Sequence, residues 1–274
     1  MIGCYRKMSR LFSSQSGRAV ILPLDAGVAE GMGAGLDDLP GLIGLLDDLP
    51  VQGVIMHKGA ARAYLPEIPP FCSAVIQLSA GTRHGVPAYA KGIACSVPEA
   101  LRLGADFVAV TVNIANDMED RFLTDLGAVT DEAHGLGLPV LALIRPMGER
   151  IVNDLDPSLI SHCIRLGFEL GADVIGAPFS GDPVSFSKAC AASAAPVLIT
   201  DGPARPDFDA FLDMVAQALT AGAMGTCLGR MIWRQDDPGE ALKRFLKIAH
   251  ETPGPKRDGD AAPGPEKSPD PPSE

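Results

Sequence analysis

The chain has 274 residues, of which 46% are hydrophobic and 21% charged, and its formal net charge is −11. This length and apolar content suit one large α/β domain with a sizeable core. The negative charge argues against a nucleic-acid-binding surface, which needs a basic patch. The sequence holds no apolar run of about 18 residues that could span a membrane, and its basic N-terminus lacks the apolar segment of a secretory signal. We therefore expect a cytoplasmic protein that binds neither membranes nor nucleic acid.

Six cysteines are scattered along the chain without the spacing of metal ligands: Cys4, Cys72, Cys95, Cys163, Cys190 and Cys227. Several of them lie in apolar runs, as is typical of inert core thiols in a reducing compartment. The cysteine pattern therefore predicts no metal site.

Residues 1–17 predict a short amphipathic helical extension, with Met8, Leu11 and Phe12 on its apolar side. Eight continuous apolar runs then predict buried strands, since strands covered on both faces read as unbroken apolar segments. The predicted strands are Arg18–Leu24, Gly53–Met56, Ser73–Leu78, Phe107–Val112, Pro139–Ile144, Val174–Phe179, Pro196–Thr200 and Met224–Leu228.

Helical segments alternate with these strands, at about residues 36–49, 118–134, 156–170, 183–192, 208–220 and 238–250. Ser96, followed by Glu99, and Asp156, followed by a proline, are typical helix starts. The alternation predicts a single-domain (β/α)8 TIM barrel over residues 18–251, with a doubly wound open sheet as the alternative. Seven prolines among residues 252–274, without a large apolar residue, predict a disordered tail.

In a closed α/β barrel, active sites lie at the carboxyl ends of the strands. Each polar residue there could be a turn cap, a core histidine or a surface ion pair, but the set as a whole favours a ligand site. The polar residues at the predicted strand ends are Asp25, His57, Lys58, Ser79, Thr82, Asn113, Arg145, Asp201 and Arg230.

Glycine turns follow the last two predicted strands, in Asp201-Gly202-Pro203 and in Gly229-Arg230. Such turns, with their backbone N–H groups and a helix N-terminus, form the usual phosphate site of these barrels. The carboxylate of Asp201 opposes a phosphate dianion unless Arg230 or Arg205 compensates its charge.

Several segments in chain order carry a family resemblance: Leu24–Gly27, Met56–Gly59, Leu78–Thr82, Ser96–Ala100, Leu103–Asp106, Glu169–Asp173, Asp201–Pro203 and Leu228–Arg230. Over roughly residues 5–251, the chain resembles the archaeal-type class I fructose-bisphosphate aldolases and the related 2-amino-3,7-dideoxy-D-threo-hept-6-ulosonate synthases. These belong to the DeoC, LacD and LsrF group of aldolases. The resemblance implies a TIM barrel, a Schiff-base mechanism without a metal or other cofactor, and a homo-oligomer of pentamers that pair into decamers.

The chain departs from this family pattern at four strand ends. The Schiff-base lysine of the family falls at Gly176, when the chains are aligned on the preceding Gly171–Asp173. The family aspartate is kept as Asp25, but the histidine after it is replaced, its acid/base tyrosine corresponds to Arg145, and a phosphate-loop glycine to Asp201. The usual nucleophile and proton donor are therefore both absent.

An imine mechanism needs an amine that loses its proton near neutral pH. Lys58 is the one lysine clearly at a predicted strand end, so we expect it to face the barrel mouth, as a structural residue, as a residue that orients the substrate, or as a relocated nucleophile. We predict an aldolase-type lyase or transferase acting on a small phosphorylated or carboxylated keto or sugar substrate. The predicted catalytic residues are Asp25, Lys58 and Arg145, and the predicted substrate-binding residues are His57, Ser79, Asp201, Gly202, Gly229 and Arg230.

Two other readings stay open at this point. The chain could be a catalytically silent homologue that binds a metabolite or partners an active paralogue. It could also be a barrel enzyme without an imine, using Asp25, His57 and Asp201 as acid/base groups.

Overall fold

The structure is a computed structural model that describes residues 2–31 and 35–254. Eight parallel strands close into a barrel, in which the first strand pairs with the last through Ala19 and Gly225. This closure confirms the (β/α)8 TIM barrel and excludes the open sheet. Residues 255–274, which make up most of the predicted tail, lie outside the described residues.

Ten strands are described, eight of which form the barrel in the order β1-β2-β3-β6-β7-β8-β9-β10. The other two, β4 and β5, pair with each other as an antiparallel ribbon. The barrel strands lie where the apolar runs predicted them, whereas the ribbon was not predicted. The bounds are β1 (Ala19–Pro23), β2 (Gly53–Met56), β3 (Ser73–Gln77), β4 (Ser79–Ala80), β5 (Gly92–Ile93), β6 (Phe107–Ile114), β7 (Val140–Pro146), β8 (Val174–Ala177), β9 (Val197–Ile199) and β10 (Gly225–Cys227).

The helices of the described residues surround the barrel, and none is long and apolar enough to cross a membrane. They are α1 (Ile2–Leu11), α2 (Ala26–Glu30), α3 (Leu39–Gly44), α4 (Lys58–Tyr64), α5 (Val97–Arg102), α6 (Glu119–Gly135), α7 (Pro157–Glu169), α8 (Pro183–Ala191), α9 (Phe208–Thr220), α10 (Arg230–Trp233) and α11 (Pro238–Glu251), with a 3₁₀ turn at Leu65–Glu67.

Local sequence explains where several helices begin. The hydroxyl of Ser96 accepts a hydrogen bond from the Glu99 amide at 3.3 Å, and a proline occupies the first turn of α5. The carboxylate of Asp156 likewise accepts from the first amides of α7. These contacts satisfy backbone donors that have no partner inside the helix.

The amino end of the barrel is filled by apolar side chains. Leu11 of α1 is fully buried among inward-facing strand residues such as Ile21 and Leu141, and Met8 and Phe12 pack against the same cluster. Because this end is closed by hydrophobic packing, the inward polar side chains are concentrated at the carboxyl end.

A buried arginine just before β1 forms hydrogen bonds with the segment that joins α9 to β10. The guanidinium of Arg18 donates to the carbonyl oxygens of Leu219, at 3.3 Å, and of Ala223, and its side chain is almost fully buried. Burial lowers the pKa of Arg18. Since these carbonyls lie at the end of α9 and just before β10, Arg18 joins the first and last parts of the barrel.

The cysteines are reduced, and most of them are buried. Burial raises the pKa of the Cys72, Cys163 and Cys190 thiols to about 12. A thiol that holds its proton this strongly is a poor nucleophile at neutral pH.

Candidate active site

A cavity of about 230 Å³, here called the central cavity, opens at the carboxyl ends of the barrel strands. Most of the residues predicted from strand ends are brought together on its wall, along with a lysine that was not predicted. Its acidic, basic and histidine side chains are Asp25, Glu30, His57, Lys91, Arg145, Asp201 and Arg230.

A second cavity of about 350 Å³, here called the side cavity, adjoins the first. The two share Asp25, Arg145, Asp201 and Arg230 on their walls. The predicted Gly202 and Gly229 line the side cavity, as do Arg205 and Trp233. A ligand that occupies both cavities would therefore contact the shared residues along its length.

A hydrogen-bond network fixes the Asp25 carboxylate at the wall of the central cavity. The buried amide of Gln77 donates to Asp25 Oδ2 at 3.3 Å and to Thr111 Oγ1 at 3.2 Å. Ser79 donates its hydroxyl proton to Gln77 Oε1 at 3.2 Å and accepts from the Thr111 amide at 2.8 Å. The Ser79 hydroxyl thus holds Gln77 and β6 in place, so its contribution to the site is to position Asp25 through Gln77.

Lys91 reaches the central cavity from the ribbon rather than from a barrel strand. It directly precedes β5, which pairs with β4 in the register Ser79 with Ile93 and Ala80 with Gly92. The residue after the ribbon strand β4 packs closely against Lys91. A Cβ atom added at Gly81 would lie only 3.1 Å from Lys91 Cγ. The turn back from β3 therefore places Lys91 over the barrel mouth.

Sequence reasoning missed Lys91 because it considered only residues at the ends of strands. One signal was nevertheless present, since Lys91 is the only Lys, Arg, Asp or Glu from residue 84 to residue 98.

The charges around the central cavity shift the protonation of two of its members. Burial lowers the pKa of Lys91, the Arg145 guanidinium lowers it further, and the Asp25 carboxylate opposes both effects. Burial also lowers the pKa of His57, against an opposite effect of Asp25, and the charge of Lys91 adds to the lowering. The site therefore favours a neutral imidazole and makes the neutral amine of Lys91 more accessible than in a free lysine.

Neither Lys91 nor Arg145 forms an ion pair with a carboxylate within the described part of the chain. The Arg145 guanidinium contacts Met147 Sδ at 3.1 Å, which is a weak acceptor. Among residues 2–31 and 35–254, no group of three or more His, Cys, Asp or Glu residues is arranged to hold a metal ion.

The structure places Lys58 outside both cavities, which differs from the expectation that it faces the mouth. Lys58 is the first residue of α4, and its Nζ forms an ion pair with Glu99 Oε2 at 3.2 Å. The side chain is 44% exposed. The physical reason is that the first turn of α5 offers a counter-charge on the outer side of the strand ends, so that Lys58 links two helices.

Gly176 lies in β8 at the inward position where the related aldolases were expected to carry their lysine. A Cβ atom at this position would lie 2.7 Å from Leu143 Cδ2 and 2.7 Å from Thr200 Cγ2. Both neighbours line the central cavity. A longer side chain would therefore need the ends of the Leu143 and Thr200 side chains to move aside.

The glycine turn after β9 offers less to an anion than expected. The Gly202 amide could donate a hydrogen bond to a phosphate, but it already donates to the Asp201 carboxylate at 2.8 Å. On the neighbouring turn, the Arg230 guanidinium pairs with Glu30 of α2. Two acidic side chains therefore occupy donors that would otherwise face a ligand.

Two residues that line the side cavity carry buried donors without protein partners. Arg205 Nε and Trp233 Nε1 have no hydrogen-bond partner among the described residues, and both side chains line this cavity. Buried N–H groups are almost always paired in native proteins. Because neither nitrogen is itself exposed to the cavity, an acceptor oxygen of a ligand would pair with it only after these side chains move.

A closed eight-stranded barrel that gathers a carboxylate, a lysine and arginines at the carboxyl ends of its strands has the architecture of a TIM-barrel enzyme. The sequence assigns it more narrowly. The model of the DeoC/LacD family of aldolases matches residues 19–235, so the chain belongs to this family.

Individual relatives agree with this assignment. The chain is 32% identical over 246 residues to the 2-amino-4,5-dihydroxy-6-oxo-7-(phosphonooxy)heptanoate synthase of Streptomyces griseus, covering 90% of each chain. It is also 32% identical over 252 residues to the 2-amino-3,7-dideoxy-D-threo-hept-6-ulosonate synthase 1 of Archaeoglobus fulgidus, covering 91% of this chain and 92% of the relative. A crystal structure of an archaeal fructose 1,6-bisphosphate aldolase superposes with a TM-score of 0.81 and 27% identity, over 90% of this chain and 99% of the other. These findings confirm the resemblance seen in the sequence.

Proposed function

We propose that the protein is an aldolase-type lyase or transferase that makes or breaks a carbon–carbon bond in a small phosphorylated or carboxylated keto or sugar substrate. The observation that carries this proposal is the juxtaposition of the two cavities. One holds a fixed carboxylate beside cationic side chains, and the other holds buried donors without partners among the described residues.

The residues divide naturally between the two tasks. Asp25, held by Gln77, moves the proton that is lost or gained as the carbon–carbon bond changes. Arg145 and Arg230 lie on the walls of both cavities and bind the anionic part of the substrate, Arg230 through the guanidinium nitrogens that its pairing with Glu30 does not use. Arg205 and Trp233 donate to its oxygen atoms from the side cavity.

The names of the relatives support this substrate class. The Streptomyces griseus relative is named for a product with an oxo group next to a phosphonooxy group. The combination of a ketone and a phosphate matches the arrangement here, in which a cavity suited to carbonyl chemistry adjoins one suited to an anion.

A second candidate is a catalytically silent protein that binds such a metabolite, and one observation favours it. Position 176, where the related aldolases were expected to carry the lysine, is a glycine whose surroundings are closed by Leu143 and Thr200. On this proposal, the cavities and their cations remain as a binding site, and no carbon–carbon bond changes.

The cellular setting and assembly are part of the same proposal. A metabolic enzyme of this family would work in the cytoplasm as a homo-oligomer, with the pentamer or decamer as the expected assembly.

The exchange of carbon-bound protons tests the proposal without knowledge of the second substrate. Dihydroxyacetone phosphate is incubated with the protein in D₂O, and loss of the proton signal next to the carbonyl is followed by ¹H NMR. The wild-type protein should catalyse exchange. Asp25→Asn should abolish it, because the carboxylate that moves the proton is gone.

Asp131→Asn is the matched control, since Asp131 is an exposed residue of α6 that is far from the cavities in the fold and loses the same charge. This variant should exchange at the wild-type rate. Saturable binding without exchange, with pyruvate as well as with dihydroxyacetone phosphate, would favour the silent binder. Neither binding nor exchange would refute both candidates.

A further inference from the structure

The central cavity contains one primary amine, and it is carried by the ribbon. Lys91 shares the cavity wall with Asp25, His57 and Arg145. Its neighbours in the ribbon are held by the two residue pairs of β4 and β5 and by the close contact at Gly81. The backbone of Lys91 is therefore held at the barrel mouth, and its side chain lines the cavity and does not extend freely from the surface.

The two other places for an amine are less suitable. Gly176 has no side chain, and its inward direction is occupied by the ends of Leu143 and Thr200. Lys58 has an amine, but its Nζ is bound by Glu99 and it lines neither cavity. Lys91 combines an inward position with the absence of an ion-pair partner among the described residues.

From this arrangement we propose that Lys91 is the nucleophile that forms an imine with the substrate ketone, in place of the missing amine on β8. This inference rests on the proposed aldolase-type function. It also assigns the substrate an orientation. The carbonyl lies under the ribbon, near β1 to β3, and the anionic end extends past Arg145 into the side cavity.

The covalent step uses only groups of the site and the substrate. The neutral Nζ of Lys91 donates its electron pair to the carbonyl carbon, and the π pair of the C=O bond moves to oxygen. The nitrogen loses a proton and the oxygen gains one, which gives a carbinolamine. After a second protonation, the oxygen leaves as water while the nitrogen pair forms the C=N bond. One neutral amine, one ketone and one proton thus give one protonated imine and one water.

The surroundings of Lys91 suit this step. Burial and the Arg145 charge both lower its pKa, so that more of the amine is unprotonated near neutral pH than in a free lysine. Asp25 lies in the same cavity and can take the proton from the nitrogen and return it to the departing oxygen. The positive charge of the finished imine then faces the Asp25 carboxylate.

Reduction of the imine tests the assignment. The full-length protein is incubated separately with dihydroxyacetone phosphate, pyruvate and pyridoxal 5′-phosphate, each with sodium borohydride. The modified lysine is then located by peptide mass spectrometry. We expect an adduct at Lys91 in the wild-type protein, loss of that adduct in Lys91→Arg, and its full retention in Lys58→Arg, which is the matched control.

Exchange into dihydroxyacetone phosphate, measured on the same variants, separates this inference from the proposed function. Lys91→Arg should lower the exchange rate at least a hundredfold, whereas Lys58→Arg should lower it less than threefold. Exchange that persists in Lys91→Arg would overturn the role of Lys91 and leave the function standing. A wild-type adduct at Lys91 without any exchange would support the nucleophile and refute the function.

The wild-type mapping needs no variant, so it is decisive even if Lys91→Arg folds poorly. An adduct found only at another lysine, or at no lysine with all three probes, would overturn the assignment.

Discussion

Replacement of Gly176 by alanine tests whether the inward position of β8 has been closed. The new Cβ atom would lie 2.7 Å from both Leu143 Cδ2 and Thr200 Cγ2, well inside normal carbon–carbon contact. The backbone itself can accept alanine, since Gly176 is not among the glycines with positive φ. The effect of the substitution is therefore set by the two side chains that it meets.

The expected magnitude follows from two opposing contributions. Forcing an extra carbon into a packed interior costs about 1–3 kcal/mol. Alanine also restricts the conformations of the unfolded chain, which raises the free energy of unfolding by about 0.4–1 kcal/mol. The difference ranges from about zero to a loss of roughly 2.6 kcal/mol, which corresponds to a decrease in Tm of up to about 10 °C for a domain of this size.

Thermal unfolding followed by circular dichroism measures this change, and Gly127→Ala is the control. Gly127 lies inside α6, and a Cβ atom there meets nothing within 4 Å. The control should raise stability by about 0.5–1 kcal/mol, because glycine is a poor helix former. In Gly176→Ala/Thr200→Ser, loss of the Thr200 methyl should recover part of the Tm. A Gly176→Ala protein as stable as the control would mean that the position is open and would contradict the argument.

Three further predictions concern the charged groups. In Asp25→Asn, reductive trapping at Lys91 should reach half its maximal rate at a lower pH than in the wild type, because the Asp25 carboxylate raises the pKa of Lys91. The maximal trapping rate should also fall by about 10²–10⁴-fold. A half-maximal pH that is unchanged or higher would contradict the assigned interaction between Asp25 and Lys91. Arg230→Ala should weaken the binding of dihydroxyacetone phosphate, measured by calorimetry, by about 10–100-fold, since a charge-assisted hydrogen bond contributes about 1.5–3 kcal/mol. Glu30→Gln removes the ion-pair partner of Arg230 and should tighten this binding. Equal affinities in the wild type and both variants would show that Arg230 does not bind the ligand. Arg18→Met should lower the free energy of unfolding, measured in urea, by about 2–3 kcal/mol, because it leaves buried carbonyl oxygens without hydrogen-bond donors. A change below about 0.5 kcal/mol would show that these carbonyl oxygens find other partners.

The barrel was predictable because its strands are buried on both faces. Segments such as Phe107–Val112 and Val174–Phe179 read as unbroken apolar runs, and their regular alternation with helices at this chain length fits few other folds. Polar residues directly after these runs, such as Asp25 and Arg145, could be placed at the mouth for the same reason.

The ribbon and its lysine were not predictable by that reasoning. Each of its strands has only two residues, too few for an alternating pattern. Its position depends on pairing between Ser79 and Ile93, which are separated by an irregular segment without a strand or helix. The position of Lys58 outside the two cavities was not predictable for a related reason. A residue that follows a strand can also begin a helix, and the counter-charge of Glu99 that draws Lys58 outward belongs to another helix.

The attachment of Lys91 to the ribbon separates the reactive amine from the folding of the barrel. A lysine on β8 would share its packing with the interior of the barrel, so that any change in its direction would disturb the core. The two strands of the ribbon are joined to each other by a ladder of only two residue pairs, and such an element opens locally at a smaller free energy than the barrel unfolds. Substitutions in β5, which unlike Ser79 of β4 takes no part in the hydrogen bonds around Asp25, can therefore redirect or withdraw the amine while the core stays intact. This gives the chain a way to change its chemistry without changing its fold.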